Sequence, residues 1–263
     1  MAATATPPVT ADPVAARPPL DAEHPHRGTA GDNARMLAVV FGGPVVLDAL
    51  AAAAVGSTAR SLLSGRRPSA PALLGTAAVA AYAGLAVPWM RGWGSSPQEM
   101  HRALPGDELV ARPAVQTTRE IEIDAPVHEV WPWLAQIGQD RGGFYSYAWL
   151  ENLAGCEMVN AEFEHDEWLH RDVGEIVPLH PDHGVCVARF EPEHVLVLEG
   201  WGAFVLEPLG ETRTLLTIRG RSPRGVAALV YVLLVEIPHF VMERKMLLGI
   251  KDRAERAYGA RGA

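Results

Sequence analysis

Residues 119–155 read REIEIDAPVHEVWPWLAQIGQDRGGFYSYAWLENLAG, and the order of elements in this stretch constrains everything after it. Ile121 and Ile123 alternate with Glu120 and Glu122, the period of a strand with one buried face. Asp124 stands where a helix N-cap would be, and Pro126 suits the first turn. Val127, Val130, Trp131, Leu134 and Ile137 then recur at helical spacing and make one apolar face. The glycine-bearing loop QDRGGFYS leads into a second short helix, YAWLENLA, which Gly155 can close as a C-cap. A strand feeding two successive helices is an uncommon way to open a domain.

Downstream, an acidic passage, NAEFEHDEWLHRDVGE, separates this unit from a run of short apolar segments. His165 and His170 lie in that passage, five positions apart, and so do not share a helical face; HExxH is absent, and no metal site is expected. From Gly174 the segments GEIVPLH, GVCVARF, HVLVLEG, GAFVLEPLG and TRTLLTIRGRS read as strands, with turns at PDHG, EPE, GW and GET. The last element, from Val226 to about Ala257, is helical. Its first half is apolar almost all round, Pro238 is expected to kink it, and its second half sets Met246, Leu247, Ile250 and Ala254 against charged residues. The fold class is therefore α+β, a curved antiparallel sheet of about six or seven strands around a long C-terminal helix.

This order resembles the START-like (SRPBCC) superfamily, in its polyketide cyclase/dehydrase and lipid-transport-like branch. The residues that carry the resemblance are IEIDAP at Ile121–Pro126, VWPWL at Val130–Leu134, GGFYSY at Gly142–Tyr147 and WLENLAG at Trp149–Gly155. It extends from roughly Gln116 to the end of the chain. The resemblance implies a helix-grip fold with a cavity for hydrophobic ligands, and no universal catalytic motif. Apolar ligands gain by leaving water, while a few polar groups orient them. Candidate ligand-binding residues from the helix pair are Trp131, Phe144, Tyr145 and Trp149. The strands and the last helix add Trp201, Phe204, Tyr231 and Phe240. The alternative for each is plain core packing; Trp and Tyr pair an apolar body with a polar handle.

Ahead of this domain the composition changes twice. Residues 1–34 are rich in Ala, Pro and Thr and read as a disordered tail, with His24 and His26 solvated. Residues 35–91 hold two apolar runs, Met36–Gly56 with Asp48 as its single charge and Pro71–Met90 with none, each long enough to cross a bilayer as a helix. Their Ala and Gly content suits close helix–helix approach, and Trp89 and Trp93 stand where interfacial anchors would. A transmembrane hairpin is expected, with a soluble Ala-rich helical pair as the alternative. Asp48 is costly in a bilayer and calls for a partner, for which Tyr82 is a candidate. Arginines favour a cytoplasmic main domain only by Arg27, Arg35, Arg91 and Arg102 on the flanks against Arg60, Arg66 and Arg67 in the loop. Residues 92–115 read as a linker, 116–258 as the helix-grip domain and 259–263 as a tail.

A net charge of −8 argues against sequence-independent nucleic-acid binding. Cys156 and Cys186, without a CxxC, read as reduced thiols. No GxSxG, P-loop or dinucleotide fingerprint occurs, and no cofactor is expected. A general acid/base reading would use Asp140, Arg141 and Tyr145, with Glu151 nearby; an ion pair and a tyrosine that fix the loop are the alternative. The expected function is a membrane-tethered module that binds, carries or senses a hydrophobic small molecule. A polyketide cyclase/dehydratase-type enzyme and a non-catalytic regulatory membrane protein are the alternatives.

Overall fold

The computed structural model describes residues 30–261, so most of the 1–34 tail and the last two residues lie outside the described part. Two long helices come first, α1 (Ala30–Leu63) and α2 (Ala70–Arg91). They pack against each other through small residues. Thr58 and Thr76 join hydroxyls at 2.9 Å, and a Cβ on Gly75 would fall 2.6 Å from that of Ala54. Two stretches, Gly42–Leu63 and Ala70–Arg91, are long and apolar enough to cross a membrane, and their side chains, such as Leu50, Leu74 and Leu85, face outward. Asp48 lies close enough to Tyr82 to interact with it electrostatically.

The sheet follows from the strand patterns. Its strands are β1 (Val115–Ile123), β2 (Ile176–His180), β3 (His183–Glu191), β4 (Val195–Leu198), β5 (Gly202–Pro208) and β6 (Thr214–Ser222). Every pairing is antiparallel, in the order β1-β6-β5-β4-β3-β2, so the first strand closes the meander beside the last. Between β1 and β2 lie the two short helices, α4 (Val127–Ala135) and α5 (Ala148–Leu153). Helix α4 starts later than Asp124 suggests: Pro126 is its N-cap, and the Asp124 amide donates instead to the Glu255 carboxylate of the last helix at 2.8 Å.

The C-terminal helix α6 runs over residues 226–261, past the expected end near Ala257. Pro238 does not interrupt it. A π turn at Tyr231–Val235 precedes the proline and widens the backbone where its ring would meet the preceding turn's carbonyl. The same device recurs in α2, where the π turn Tyr82–Ala86 precedes Pro88. The second half of α6 seals the main core. Met246, Leu247, Ile250 and Ala254 pack with Ile123, Trp133, Leu134, Phe204 and Ile218. Sheet plus gripped helix is the helix-grip arrangement expected.

Residues 92–115 are more than a tether. Here lie α3 (Pro97–His101), capped by a reciprocal Ser96–Glu99 box, and a 3-10 turn at Asp107–Val110. They cover the sheet's other face, where Leu104 packs on Val195, Val197, Ala203 and Val205. Arg219 fastens the segment, pairing with Asp107 at 3.0 Å and donating to the carbonyls of Glu99, Met100 and Arg102. Because β4 is buried on both faces, its VLVL run could not be left under a loose linker.

Where α2 meets the domain, charges are buried in pairs. Arg91 Nε donates to Glu236 at 2.5 Å, and Arg119 on β1 pairs with Glu243 while donating to the Met90 carbonyl at 2.8 Å. Trp89 stacks edge-on to Phe240, with centroids 5.2 Å apart. The hairpin is thus joined to β1 and α6 together.

Candidate functional site

Between the sheet and the first half of α6 lies a cavity of about 930 Å³. Its walls are set by three local patterns. On β1 and β6 the side chains that face α6 shrink toward one end: Ile121 and Leu216 fill the core, whereas Thr117, Gly220 and Ser222 leave space. On α6, Tyr231, Val235, His239, Met242 and Met246 line the cavity at helical spacing. The third wall comes from α5 and its flanks, with Phe144, Ser146, Leu150, Glu151, Cys156 and Met158.

The loop before α5 is cross-linked by hydrogen bonds. Gly138 and Gly143 exchange backbone hydrogen bonds of 3.0 and 2.9 Å. Gly143 takes φ +72°, and a Cβ there would strike Val159 and Asn160. Tyr145 also has positive φ, 54°, unusual for a bulky residue. Asn160 holds it, accepting from the Tyr145 amide at 2.7 Å and donating to the Ser146 carbonyl at 3.1 Å. This turn sends Tyr145 into the core against Trp133 and leaves Phe144 on the cavity wall. Phe144 meets Trp201 edge-on at 5.2 Å, and Trp201 meets Phe204 at 5.4 Å, giving the wall an aromatic floor.

Of the residues singled out by sequence, the structure therefore brings Phe144, Trp201 and Tyr231 together at the cavity. Trp131 packs instead against Phe190 at 5.2 Å, and Phe204 is fully buried beneath Trp201. Phe240 faces Trp89 and the Arg119 guanidinium, and Trp149 is largely exposed on the surface. A helical or strand period identifies a buried face, but a core position and a cavity position share that face.

The Asp140–Arg141–Tyr145 group is also away from the cavity. Arg141 donates to the carbonyls of Trp168 and His170 and to Glu175, tying the acidic passage to the loop. Asp140 is exposed, beside Arg171, whose guanidinium is pulled down to about 10 by burial and by neighbouring Arg141. Tyr145 accepts from Gln136 Nε2 at 2.9 Å, and burial holds its hydroxyl well above the usual tyrosine range. These are the bonds of a fixed loop.

Several polar residues on the walls carried no ligand-binding reading in the sequence, among them Ser146, Glu151, His239 and Glu243. Ser146 donates to the Met242 carbonyl at 2.8 Å. His239 hydrogen-bonds Tyr231 at 3.2 Å, and withdrawal from water, with Arg119 nearby, holds it neutral with a pKa lowered to about 4. Glu243 is paired with Arg119. Glu151 is different: it is buried, and burial alone pushes its carboxyl up to about 7. Burial also raises the Cys156 thiol to about 11, with Glu151 adding to the effect. The spacing of His239 and Glu243 from Tyr231 is the signal that could have found the α6 pair. Among the described residues no cluster of three or more His, Cys, Asp or Glu side chains could hold a metal ion.

No family model matches the chain, and no curated protein matches it. Two solved structures are similar to it. One is the polyketide-cyclase-like protein Cgl2372 from Corynebacterium glutamicum, 20% identical, over 56% of this chain and 91% of that one, with a TM-score of 0.28. The other is CalU16 from Micromonospora echinospora, 20% identical, over 60% of this chain and 92% of that one, with a TM-score of 0.25.

Proposed function

We propose that the chain binds an apolar small molecule in the cavity under α6 and is held at a membrane by the α1–α2 hairpin. The observation that carries this reading is the cavity itself, about 930 Å³ with mostly apolar walls. That is at the upper end of the range for small-molecule sites, roughly 300–1,000 Å³. Beside it the core is filled by buried side chains, Leu134, Phe204, Ile218 and Leu247 among them. The first half of α6 serves both parts of the reading. Val230, Tyr231 and Val235 wall the cavity, the π turn touches α1, and Val226, Leu229, Val232 and Leu233 are exposed. An exposed apolar face continuous with the hairpin suits contact with a membrane. It gives an apolar ligand a path between bilayer and cavity that avoids water.

The test uses the full chain in nanodiscs and the neutral dye Nile red, with empty nanodiscs subtracted. Wild type should bind the dye, and Val235→Trp, which fills the cavity, should weaken binding at least about fivefold. Equal binding by both, or none by wild type, removes the reading. For the tether, the intact protein should stay with membranes through a high-salt wash; its release without detergent counts against two spans.

Cyclase-type turnover is the second reading. Glu151, at about 7, is the cavity group whose protonation suits general acid/base work near neutral pH. Product formation by wild type, lost in Glu151→Gln, would favour it.

A further inference from the structure

Buried acids in this molecule come with cations, with one exception on the cavity wall. Glu236 is held by Arg91, Glu243 by Arg119 and Glu129 by Arg261. Glu151 sits on α5 with 8% of its surface exposed, and its Oε2 is buried without a hydrogen-bond partner. Among the described residues no cation pairs with it, and it lines the cavity. The other charged groups on the walls do not compensate it. Arg221 is committed to Asp107 at 2.9 Å and to Gln116, also at 2.9 Å, Glu243 is matched by Arg119, and Glu199 is a further acid at an exposed rim position. His239 is neutral. The walls thus carry a surplus of negative charge inside an apolar space.

We infer that Glu151 is the polar anchor of this cavity and that it selects an apolar molecule carrying a single ammonium group over one carrying a carboxylate. This rests on the proposed ligand-binding reading and names the ligand's chemistry. An ammonium supplies three donors and a positive charge to neutralise Glu151, whose carboxyl is itself largely withdrawn from water. A carboxylate of the same chain length would bring a second anion beside Glu151 and be repelled. An alcohol of that length offers one neutral donor and falls between the two. Burial supports the same preference: the carboxyl, raised to about 7, is poised to give up its proton when a cation arrives.

The experiment measures displacement of Nile red from the full chain in nanodiscs by octylamine, octanol and octanoate at pH 7.5. Each probe is compared between wild type and Glu151→Gln, so partition into the nanodisc cancels. Wild type should favour octylamine over octanoate by roughly tenfold or more, the scale of one hydrogen bond to a charged group. In Glu151→Gln the amine should lose about tenfold and the two probes should come within about threefold of each other. Glu151→Met, which removes all hydrogen bonding at the position, should behave the same way toward octylamine. Equal displacement by octanoate and octylamine in wild type overturns the inference, as does an amine preference that survives both substitutions. If wild type fails to bind the dye at all, the cavity reading fails, a result distinct from binding without charge preference.

Discussion

Residues 226–242 and residues 246–257 belong to one helix, yet they meet the sheet in opposite ways. The later half is a packing element. Leu247, Ile250 and Ala254 are fully buried, and Gly249 lets the helix approach the Tyr145 carbonyl more closely than any side chain would allow. The earlier half stands off. A π turn, a proline and the adaptable side chain of Met242 face a void, and the opposing strands present Thr117, Gly220 and Ser222. The same helix seals one end of the domain and leaves the other hollow. The buried pair Arg119–Glu243 stands at the junction between the two halves. Rigidity at one end is what allows an unfilled space at the other, because the sealed core supplies the packing that the hollow end forgoes.

The largest expected effect separates the two halves directly. Leu247→Ala removes a side chain from a filled core and should destabilise the chain by about 3 kcal/mol, within the usual range for such truncations. Val235→Ala trims a side chain that already borders empty space and should change stability by less than about 1 kcal/mol. Apparent Tm of the full chain in one detergent checks both. Equal losses would mean that the hollow end is filled in solution.

Gly249→Ala sharpens the contrast by its sign. Alanine in a helix interior is normally favoured over glycine by about 1 kcal/mol. Here the added Cβ would meet Tyr145 backbone, which is fixed by Asn160, so overpacking of roughly 1–3 kcal/mol should prevail. A lower apparent Tm is the expected result. A rise in Tm would show that the sealed half is looser than its geometry implies.

How much of this contrast is legible in the sequence follows from which signals are periodic. The stretch at residues 119–155, the five later strands and the final helix all declare themselves through alternation or helical spacing, and they fold in that order. Periodicity reports which face is buried and is silent on whether anything fills the space opposite. Phe204 and Trp201 are three positions apart; Phe204 lies within β5 and is core, whereas Trp201 lies in the turn before β5 and reaches the cavity wall. Tyr145 looked available for chemistry, but its left-handed backbone turns it inward, a consequence of the Gly138–Gly143 pairing and Asn160. Residues 92–115 looked like a linker because the partners of Leu104 and Asp107, on β4, β5 and β6, are distant in sequence and follow no period.

Glu151 gives an effect whose sign is specific to the hollow half. Its carboxyl stands at about 7 in the folded chain against an ordinary value of 4.5, with burial the cause. Below about pH 4.5 both folded and unfolded chains hold the proton, and this group leaves their balance unchanged. Between 4.5 and 7 the unfolded chain releases the proton while the folded chain retains it, so stability falls as pH rises. Above 7 the full penalty of a buried carboxylate with no cation beside it among the described residues is present. Cys156, raised to about 11, stays neutral across this window. Glu120, also raised to about 7, and His239, lowered to about 4, titrate within it, so the difference between wild type and Glu151→Gln isolates Glu151. Glu151→Gln should therefore match wild type near pH 4.5 and exceed it at pH 8 by on the order of 1–2 kcal/mol, less than the full shift implies because the cavity admits water. Apparent Tm of both proteins across pH 4.5–8 reads this out, and octylamine added at pH 8 should raise wild type toward the variant. A constant gap across the pH range would mean that Glu151 finds a partner in solution, and that the hollow half is better satisfied than its walls suggest.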